Sequence, residues 1–304
     1  MLWETLFLIF YAFVACFLLA GVRRKLRARI QGRIGPPILQ PLYDFLKLLV
    51  KETSMPRGAS RLYVYAPILA LALALTATVM IPVPGISPLS FAGDLIVVLI
   101  LLTSATAFLL LGGLASSNPY SGVAGSRGLL LVLTLELPLA LIVASIYMAT
   151  GKLNIEQIAT SMATDKISSI CLAPSLVAFL VYIVAKTWTT PFSLPNAETE
   201  IMEGPFVEYS GGLLALVELT HFLEQYALVG LLSNMLTYII FGQSDFAYSV
   251  VLYSTLLVLV VVLVTLVETI FARLRLDQAL KILFILPNLL ALTSIALVGV
   301  RWLT

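Results

Sequence analysis

Charged residues and metal-binding side chains are scarce in this chain. Only 11% of its 304 residues are charged, and it contains one histidine and two cysteines, whereas roughly a quarter of the residues in a soluble domain are charged. Haem, zinc and iron–sulfur centres depend on histidine and cysteine ligands, so we expect no metal or other cofactor in this chain. The net charge of +2 is too small to indicate nucleic-acid binding.

Hydrophobic residues, by contrast, make up 60% of the chain and are grouped into long runs. A helix needs about 20 apolar residues to cross the hydrocarbon core of a bilayer. We therefore predict an all-α integral membrane protein, a single helical domain of residues 1–304 with about eight transmembrane helices. The predicted spans are residues 2–21, 62–82, 92–114, 128–149, 169–187, 213–241, 250–271 and 282–302.

Lysine and arginine are distributed unevenly between the two sides of this predicted bundle. The basic loop after the first span, residues 22–61, carries ten of the 18, and the side richer in lysine and arginine is normally cytoplasmic. An even number of crossings then places both termini outside. The pattern predicts a multi-pass protein of the cytoplasmic membrane whose large polar loops lie in the cytoplasm.

The basic loop contains a predicted amphipathic surface helix at residues 39–50. Apolar residues recur there at helical spacing, namely Leu42, Phe45, Leu46, Leu49 and Val50. Glycines and prolines just before this helix are typical of a shaped docking surface, although attraction of the helix to anionic lipid is the alternative. The residues predicted to dock a partner are Arg27, Arg29, Arg33, Asp44, Lys47 and Lys51, with Arg127, Arg273, Arg275 and Asp277 from later loops. For Arg273, Arg275 and Asp277, side chains that anchor the helix at the membrane surface are an equal alternative.

The second polar block, residues 188–212, is acidic. It combines four glutamates with several prolines and aromatic residues, and this mixture favours partial burial over a fully solvated surface. Carboxylates held close together in a low dielectric are suited to handling protons. We therefore predict a proton or ion coupling role for Glu198, Glu200, Glu203 and Glu208.

Two further sets of ionisable residues fall inside predicted spans, where charge is costly and usually functional. Glu136 lies in the fourth span, within LTLELPLALI, and Glu218, His221 and Glu224 recur at intervals of three in the sixth. Such spacing leaves the three on one face of a helix. We predict that all four residues carry protons or ions. The alternatives are a neutral, hydrogen-bonded acid for Glu136 and an interfacial helix face for the other three.

Several segments of the chain resemble one protein family. The sequences RARIQGRIGPPILQPLYDFLKLLVKE and AETEIMEGPFVEYSGG resemble the two signatures of a membrane subunit shared by complex I, as its subunit 1, and membrane-bound nickel–iron hydrogenases, including formate hydrogenlyase. The segments SNPYSGVAGSRG, LTLELPLALI and ARLRLD are similar to further family segments and follow in the same order. The two signatures are closer to the hydrogenase branch.

The resemblance implies an eight-helix anchor beneath a hydrophilic redox module that contains a small iron–sulfur subunit and a large catalytic subunit. Iron–sulfur clusters, and a nickel–iron centre in a hydrogenase, would belong to those partners, so this chain would be a non-catalytic subunit. Antiporter-like membrane subunits would move the ion, H⁺ or Na⁺. The acidic loop and Glu136 match the family's chain of carboxylates.

The chain departs from the family pattern in KTWTTPFS, residues 186–193. Lys186 stands where an acid is common, Thr189 where a base is common and Ser193 where aspartate is common. Glu224 stands where hydrogenase-type members often have lysine. These exchanges favour a divergent relative, such as a sulfur-reducing complex, over a quinone-reducing complex I subunit. A stand-alone secondary transporter is the remaining alternative, but the sequence has no inverted repeats or paired broken helices.

Overall fold

The computed structural model describes residues 2–196, 202, 204–242 and 245–303, and the fold is all-α over these residues. The first part of the chain forms α1 (Leu2–Ile30), α2 (Gln40–Val50), α3 (Leu62–Met80), α4 (Asp94–Leu114) and α5 (Pro119–Thr150). The remainder forms α6 (Ile155–Thr164), α7 (Lys166–Cys171), α8 (Ala173–Lys186), α9 (Gly211–Phe241), α10 (Phe246–Ile270) and α11 (Leu276–Leu303). A 3₁₀ turn covers Gly204–Phe206.

Six of these helices, α1, α3, α4, α5, α10 and α11, are long and apolar enough to cross a membrane. Helix α8 is a shorter apolar helix, and α9 has 31 residues, with its ionisable side chains in its first half. Together these helices coincide with the predicted spans, and α2 coincides with the predicted amphipathic surface helix. The predicted all-α membrane fold is therefore confirmed.

Helix α1 is longer than its predicted span. The sequence predicts a loop from residue 22, but the helix continues to Ile30. The physical reason is that Arg23 and Arg27, one helical turn apart, both donate to the carboxylate of Glu268 on α10, so the polar extension of the helix has a charged partner. The basic loop is correspondingly shorter than predicted.

Helix α5 also begins earlier than predicted, at Pro119. The Asn118 side chain caps this end by accepting a hydrogen bond from the Tyr120 N–H at 2.9 Å, and proline is favoured at the first helical position. As a result, Glu136 lies near the middle of a 32-residue helix.

Helix α9 is the central helix of the bundle and packs against α1, α2, α3, α6, α8 and α10. Tyr253 of α10 fills a notch at Gly230, where an added Cβ atom would lie 2.8 Å from the tyrosine hydroxyl oxygen. Residues 223–235 of α9 are all buried. Its polar side chains therefore face protein rather than lipid, which is where membrane proteins normally place them.

The basic and acidic loops meet at one end of the bundle. The hydroxyl of Ser210 lies 2.8 Å from that of Ser54 and accepts from the Ser54 N–H at 2.9 Å. The rings of Tyr63 and Tyr209 stack with centroids 4.3 Å apart. Helix α6 lies at the other end, where its N-terminus meets the start of α4. These contacts hold the described parts of the two loops against each other.

Candidate functional site

A polar cavity of about 480 Å³ lies at the end of the bundle where the two loops meet. It is enclosed by α1, α9, α10 and the segment that follows α8. Ionisable side chains of both signs line it, namely Arg23, Arg24, Arg27, Glu218, His221, Glu224, Glu268 and Arg273. Apolar walls strengthen electrostatic interactions among such groups. The cavity is therefore suited to sensing and redistributing charge.

The carboxylate of Glu268 joins α1 to α10 at the wall of this cavity. It accepts from Arg23 Nε at 2.8 Å and from Arg27 Nη1 at 3.1 Å. Arg23 also donates from Nη1 to Gln225 Oε1 on α9 at 3.3 Å. The backbone oxygen of Glu268 accepts from the Thr190 hydroxyl at 2.6 Å. These charge-assisted contacts hold α1, α9, α10 and the loop in a fixed arrangement.

His221 lies between two aromatic rings inside the cavity. Its ring centroid is 4.8 Å from that of Trp188 and 5.4 Å from that of Phe206. Its Nδ1 atom is 3.7 Å from Glu224 Oε2, while Glu224 Oε1 accepts from the Thr106 hydroxyl at 2.9 Å. The structure thus brings Glu218, His221 and Glu224 to one cavity, as their spacing predicts, and their proton or ion role stays a prediction.

A buried lysine, Lys186, is the last residue of α8. Lys186 interacts electrostatically with Glu224 and with Glu136. Glu136 is exposed on the outer face of α5, where it lines a largely apolar groove of about 410 Å³ between α4 and α5. Ionisable groups thus lie both at the cavity and on a flank of the protein.

Glu208 contacts α3 and the start of α5, and its predicted coupling role stays a prediction. Its carboxylate accepts from Asn118 Nδ2 at 2.5 Å, and its backbone oxygen accepts from the Tyr63 hydroxyl at 2.7 Å. It does not line the polar cavity. Burial raises the pKa of the neighbouring Tyr209 hydroxyl, which donates to the Tyr63 carbonyl. Within the described residues, these contacts of Glu208 and Tyr209 therefore attach the acidic loop to α3 and α5. Glu198, Glu200 and Glu203 lie outside the described residues.

The first six residues predicted to dock a partner lie on α1, on α2 and in the segments that follow these helices, and their docking role stays a prediction. Arg29, Arg33, Lys47 and Lys51 are exposed. Asp44 accepts from Arg24 Nη1 and from Gln40 Nε2, each at 2.8 Å, so it orients α2 against α1. The Arg27 side chain is exposed and also contacts Glu268.

The later docking residues surround a second, smaller cavity of about 250 Å³, formed by Arg127, Arg273, Arg275 and Asp277 with Leu194, Leu274 and Leu276. Arg273 donates to the Ser193 hydroxyl at 3.0 Å and to the Asn196 backbone oxygen at 2.7 Å. Arg275 and Asp277 form an exposed pair at 3.9 Å. The structure therefore brings these four together, and their docking role stays a prediction.

The site contains residues that sequence reasoning did not assign to it, namely Arg23, Thr106, Lys186 and Glu268. The i, i+4 spacing of Arg23 and Arg27 is the signal that indicates a helix with a charged partner. The departure of Lys186 from the family pattern is visible in the sequence, but its position between two carboxylates depends on tertiary packing. Thr106 gives no signal in the sequence.

The described residues contain no group of three or more His, Cys, Asp and Glu side chains that could hold a metal ion. The ionisable groups that line the polar cavity are carboxylates, guanidiniums and one imidazole. Such groups bind and transfer protons or bind small cations.

Comparison with known proteins agrees with this architecture. The protein-family model described as NADH dehydrogenase matches residues 3–299. The chain is 32% identical over 249 residues to the H subunit of NADH-quinone oxidoreductase from Bacillus cytotoxicus, a match that covers 76% of this chain and 74% of that protein. It is 34% identical over 220 residues to the corresponding protein of Bacillus cereus, covering 69% of this chain and 66% of that protein.

A solved structure is similar over nearly the whole chain. It belongs to a membrane-bound sulfane sulfur reductase, an archaeal respiratory membrane complex, and matches with a TM-score of 0.88 and 27% sequence identity, covering 98% of this chain and 99% of that chain. The family resemblance that the two signature segments indicate is confirmed. The chain belongs to the NADH dehydrogenase family, among the membrane proteins related to the H subunit of NADH-quinone oxidoreductase.

Proposed function

We propose that this chain is a membrane subunit of a multisubunit respiratory complex, where it anchors a hydrophilic redox module and couples the chemistry of that module to ion translocation. Family membership and the likeness to the sulfane sulfur reductase chain support the assignment. The proposed partners are a small iron–sulfur subunit, a large catalytic subunit, antiporter-like membrane subunits and the lipid bilayer. Iron–sulfur clusters, and a nickel–iron centre in the case of a hydrogenase, belong to the soluble partners.

The observation that carries the proposal is the group of ionisable side chains that lines the polar cavity, together with Glu136 on the flank of the bundle. Glu218, His221 and Glu224 line the cavity, and Glu136 lines the groove between α4 and α5. A change in charge at a redox partner above the cavity alters the protonation of coupled groups below it. The change in charge then reaches Glu136 at the flank, where a second membrane subunit can respond to it.

The proposed orientation places the polar cavity on the cytoplasmic side of the cell membrane. Residues 22–61 and 188–212 then form the cytoplasmic face, and both termini lie outside. The excess of lysine and arginine at this end supports the assignment. The exposed Arg29, Arg33, Lys47 and Lys51 and the smaller cavity around Arg273 are the surfaces that we assign to the soluble module.

For the electron acceptor, we favour a sulfur compound over a quinone. The whole-length likeness is to a chain of a sulfane sulfur reductase, and the cavity is lined by eight ionisable side chains, whereas ligand pockets for apolar molecules are lined mainly by apolar groups. Polysulfide reduction by the purified complex would support this choice. Binding of a quinone analogue in the cavity would support a quinone-reducing complex instead.

The coupling role is tested in inverted membrane vesicles by measuring redox turnover and ion uptake together. Glu224→Gln removes a charge without changing the shape of the side chain. We expect ion uptake per electron to fall on the order of tenfold, a normal size for a coupling effect, while the complex still assembles. Glu52→Gln, at an exposed loop position, is the matched control. Unchanged ion uptake in Glu224→Gln would contradict the proposal, and so would ion exchange by the isolated chain in liposomes.

A further inference from the structure

The inner face of the short helix α2 packs against the membrane-spanning part of α1. The buried Phe45 ring of α2 lies near the rings of Phe17 and Phe13, with centroids 5.4 Å and 6.5 Å away. Phe17 precedes the first basic residue of α1, Arg23, by six positions, which is roughly 9 Å along a helix. The contact of Phe45 therefore lies within the apolar part of α1.

The residue before Phe45 contacts the first charged turn of α1. Asp44 accepts a hydrogen bond from Arg24 Nη1 at 2.8 Å. Two consecutive residues of α2 thus contact the charged and the apolar part of α1, as expected for a helix that lies in the interface of a bilayer. Because α1 continues to Ile30, its end extends roughly 9 Å beyond Arg24, away from the membrane.

The outer face of α2 combines an apolar row with a basic row. Leu46 and Val50, one turn apart, are 49% and 88% exposed, and Tyr43 is 50% exposed. Lys47 and Lys51, also one turn apart, are exposed next to them. Together these residues line most of an open groove of about 950 Å³. Such a helix touches hydrocarbon with its apolar row and extends its ammonium groups to the lipid headgroups.

Depth favours lipid over a soluble partner at this face. A soluble subunit contacts what projects into water, such as the end of α1, but Leu46 and Val50 belong to a helix whose inner face reaches Phe17 in the membrane-spanning part of α1. An apolar row at this level faces the hydrocarbon of the bilayer. The occupant of the groove is therefore a lipid.

The charge of the groove indicates which class of lipid it binds. The Cβ atoms of residues one helical turn apart are about 5–6 Å from each other, so the long side chains of Lys47 and Lys51 reach a common phosphate. Each basic residue near the membrane surface strengthens the attraction to anionic lipid. A zwitterionic headgroup, with its own positive charge, gains less from the two lysines.

We propose that the outer face of α2 is a binding site for an anionic phospholipid. Lys47 and Lys51 bind the phosphate, and the hydrocarbon chains of the lipid lie along Tyr43, Leu46 and Val50. The site goes beyond the proposed coupling function and does not depend on it, since it needs only a bilayer that contains anionic lipid.

This site narrows the surface that is left for the soluble module. Arg29 and Arg33 are exposed near and beyond the end of α1 and remain for the module. Lys47 and Lys51 instead contact lipid beside it.

Site-specific photo-crosslinking tests the proposal in the assembled complex. A photo-reactive benzoylphenylalanine replaces Val50, the complex is stripped of lipid in detergent, and phosphatidylglycerol is added back. Mass spectrometry measures the lipid adduct at this position as a function of lipid concentration. We expect half-maximal adduct formation at a lower concentration of phosphatidylglycerol than of zwitterionic phosphatidylcholine. Inorganic phosphate should not displace the lipid, because it has no hydrocarbon chain to cover the apolar row.

Two double variants test the role of the lysines. Lys47→Gln combined with Lys51→Gln should weaken binding of phosphatidylglycerol on the order of 30-fold. Arg57→Gln combined with Arg61→Gln is the matched control, because it removes two charges at exposed positions four residues apart in the same basic loop. It should leave the binding of phosphatidylglycerol unchanged.

Four results would overturn the proposal. An adduct with a soluble subunit in place of lipid would show that a protein covers this face. Equal losses of affinity in the two double variants would show a general attraction of the basic loop, and displacement by inorganic phosphate would show a phosphate site without a lipid. If the double lysine variant does not assemble, the comparison of the two lipids still decides, and equal affinity for both would contradict an anionic site.

Discussion

Arg23 Nε donates a hydrogen bond to Glu268 Oε2 at 2.8 Å, joining α1 to α10 at the wall of the polar cavity. The Arg23 side chain is 21% exposed, whereas that of Arg27, which shares the same carboxylate, is 54% exposed. Solvent screens exposed ion pairs strongly and buried ones weakly. The two arginines therefore differ in what they contribute, although both are within reach of one acid.

The first prediction follows from that difference. In double-mutant cycles with Glu268→Gln, we expect a coupling free energy of about 1–3 kcal/mol for Arg23→Gln and below about 1 kcal/mol for Arg27→Gln. The measurement is the free energy of unfolding in detergent. Equal coupling energies for the two arginines would show that burial does not control this contact.

The second prediction concerns Glu136 at the flank of the bundle. Glu136→Gln removes the charge that the groove presents to a neighbouring subunit, so we expect ion uptake per electron to fall on the order of tenfold while assembly and redox turnover are retained. Inverted vesicles provide all three measurements. Tyr147→Phe changes another polar side chain of the same groove and should behave as wild type. Normal ion uptake in Glu136→Gln would remove this residue from the route.

The third prediction concerns the contact between the two signature segments. Gly211 has a φ of +54°, and a Cβ atom there would lie 2.6 Å from the backbone oxygen of Glu52. We expect Gly211→Ala to lower the free energy of unfolding by about 2 kcal/mol, because both backbone strain and a steric clash oppose it.

The adjacent Gly212 provides the control for that substitution. A Cβ atom at Gly212 would meet its nearest neighbour, Thr53 Cγ2, at 3.7 Å, which is ordinary contact. Because alanine is favoured over glycine in a helix, we expect Gly212→Ala to be neutral or slightly stabilising. Equal destabilisation by the two substitutions would argue against a specific fit at Gly211.

The fourth prediction concerns pH at the opposite end of the bundle. The hydrogen bond from Arg301 lowers the pKa of Asp165. The resulting stabilisation is present at neutral pH and is lost as the pH falls through the lowered pKa. Asp165 is 41% exposed, so we expect Asp165→Asn to cost at most about 1 kcal/mol at neutral pH.

The melting temperatures of Asp165→Asn and wild type should therefore converge in strongly acidic solution. Asp277→Asn is the control, since Asp277 is 73% exposed and lies 3.9 Å from Arg275, and it should leave the melting temperature unchanged at both pH values. A constant difference between Asp165→Asn and wild type across the pH range would contradict the assigned charge interaction.

The sequence was informative where one physical rule dominates. Apolar run length locates the membrane helices because hydrocarbon tolerates little else. The spacing of Glu218, His221 and Glu224 predicted that they share one face, because the geometry of a helix fixes which residues lie on the same side. The predicted end of α1 was wrong because the charged partner of its last turns, Glu268, lies more than 240 positions away in the sequence. Local patterns cannot detect such a partner.

Glu208 and Lys186 show the same limit in the site itself. Composition groups Glu208 with the other acids of its segment, yet tertiary contacts turn its carboxylate to Asn118. The sequence marks Lys186 only as a departure from the family pattern, and its burial depends on the packing of α5, α8 and α9. In both cases the chemistry depends on which helices are neighbours, which is a property of the assembled bundle.

The outward position of Glu136 affects how quickly the protein is degraded in the cell. A lone copy of this chain would expose an ionisable group to acyl chains, at an insertion cost of a few kcal/mol. Synthesis without the neighbouring subunits should therefore yield a product that membrane proteases remove quickly. Its steady-state abundance should follow the supply of whichever polypeptide covers that carboxylate.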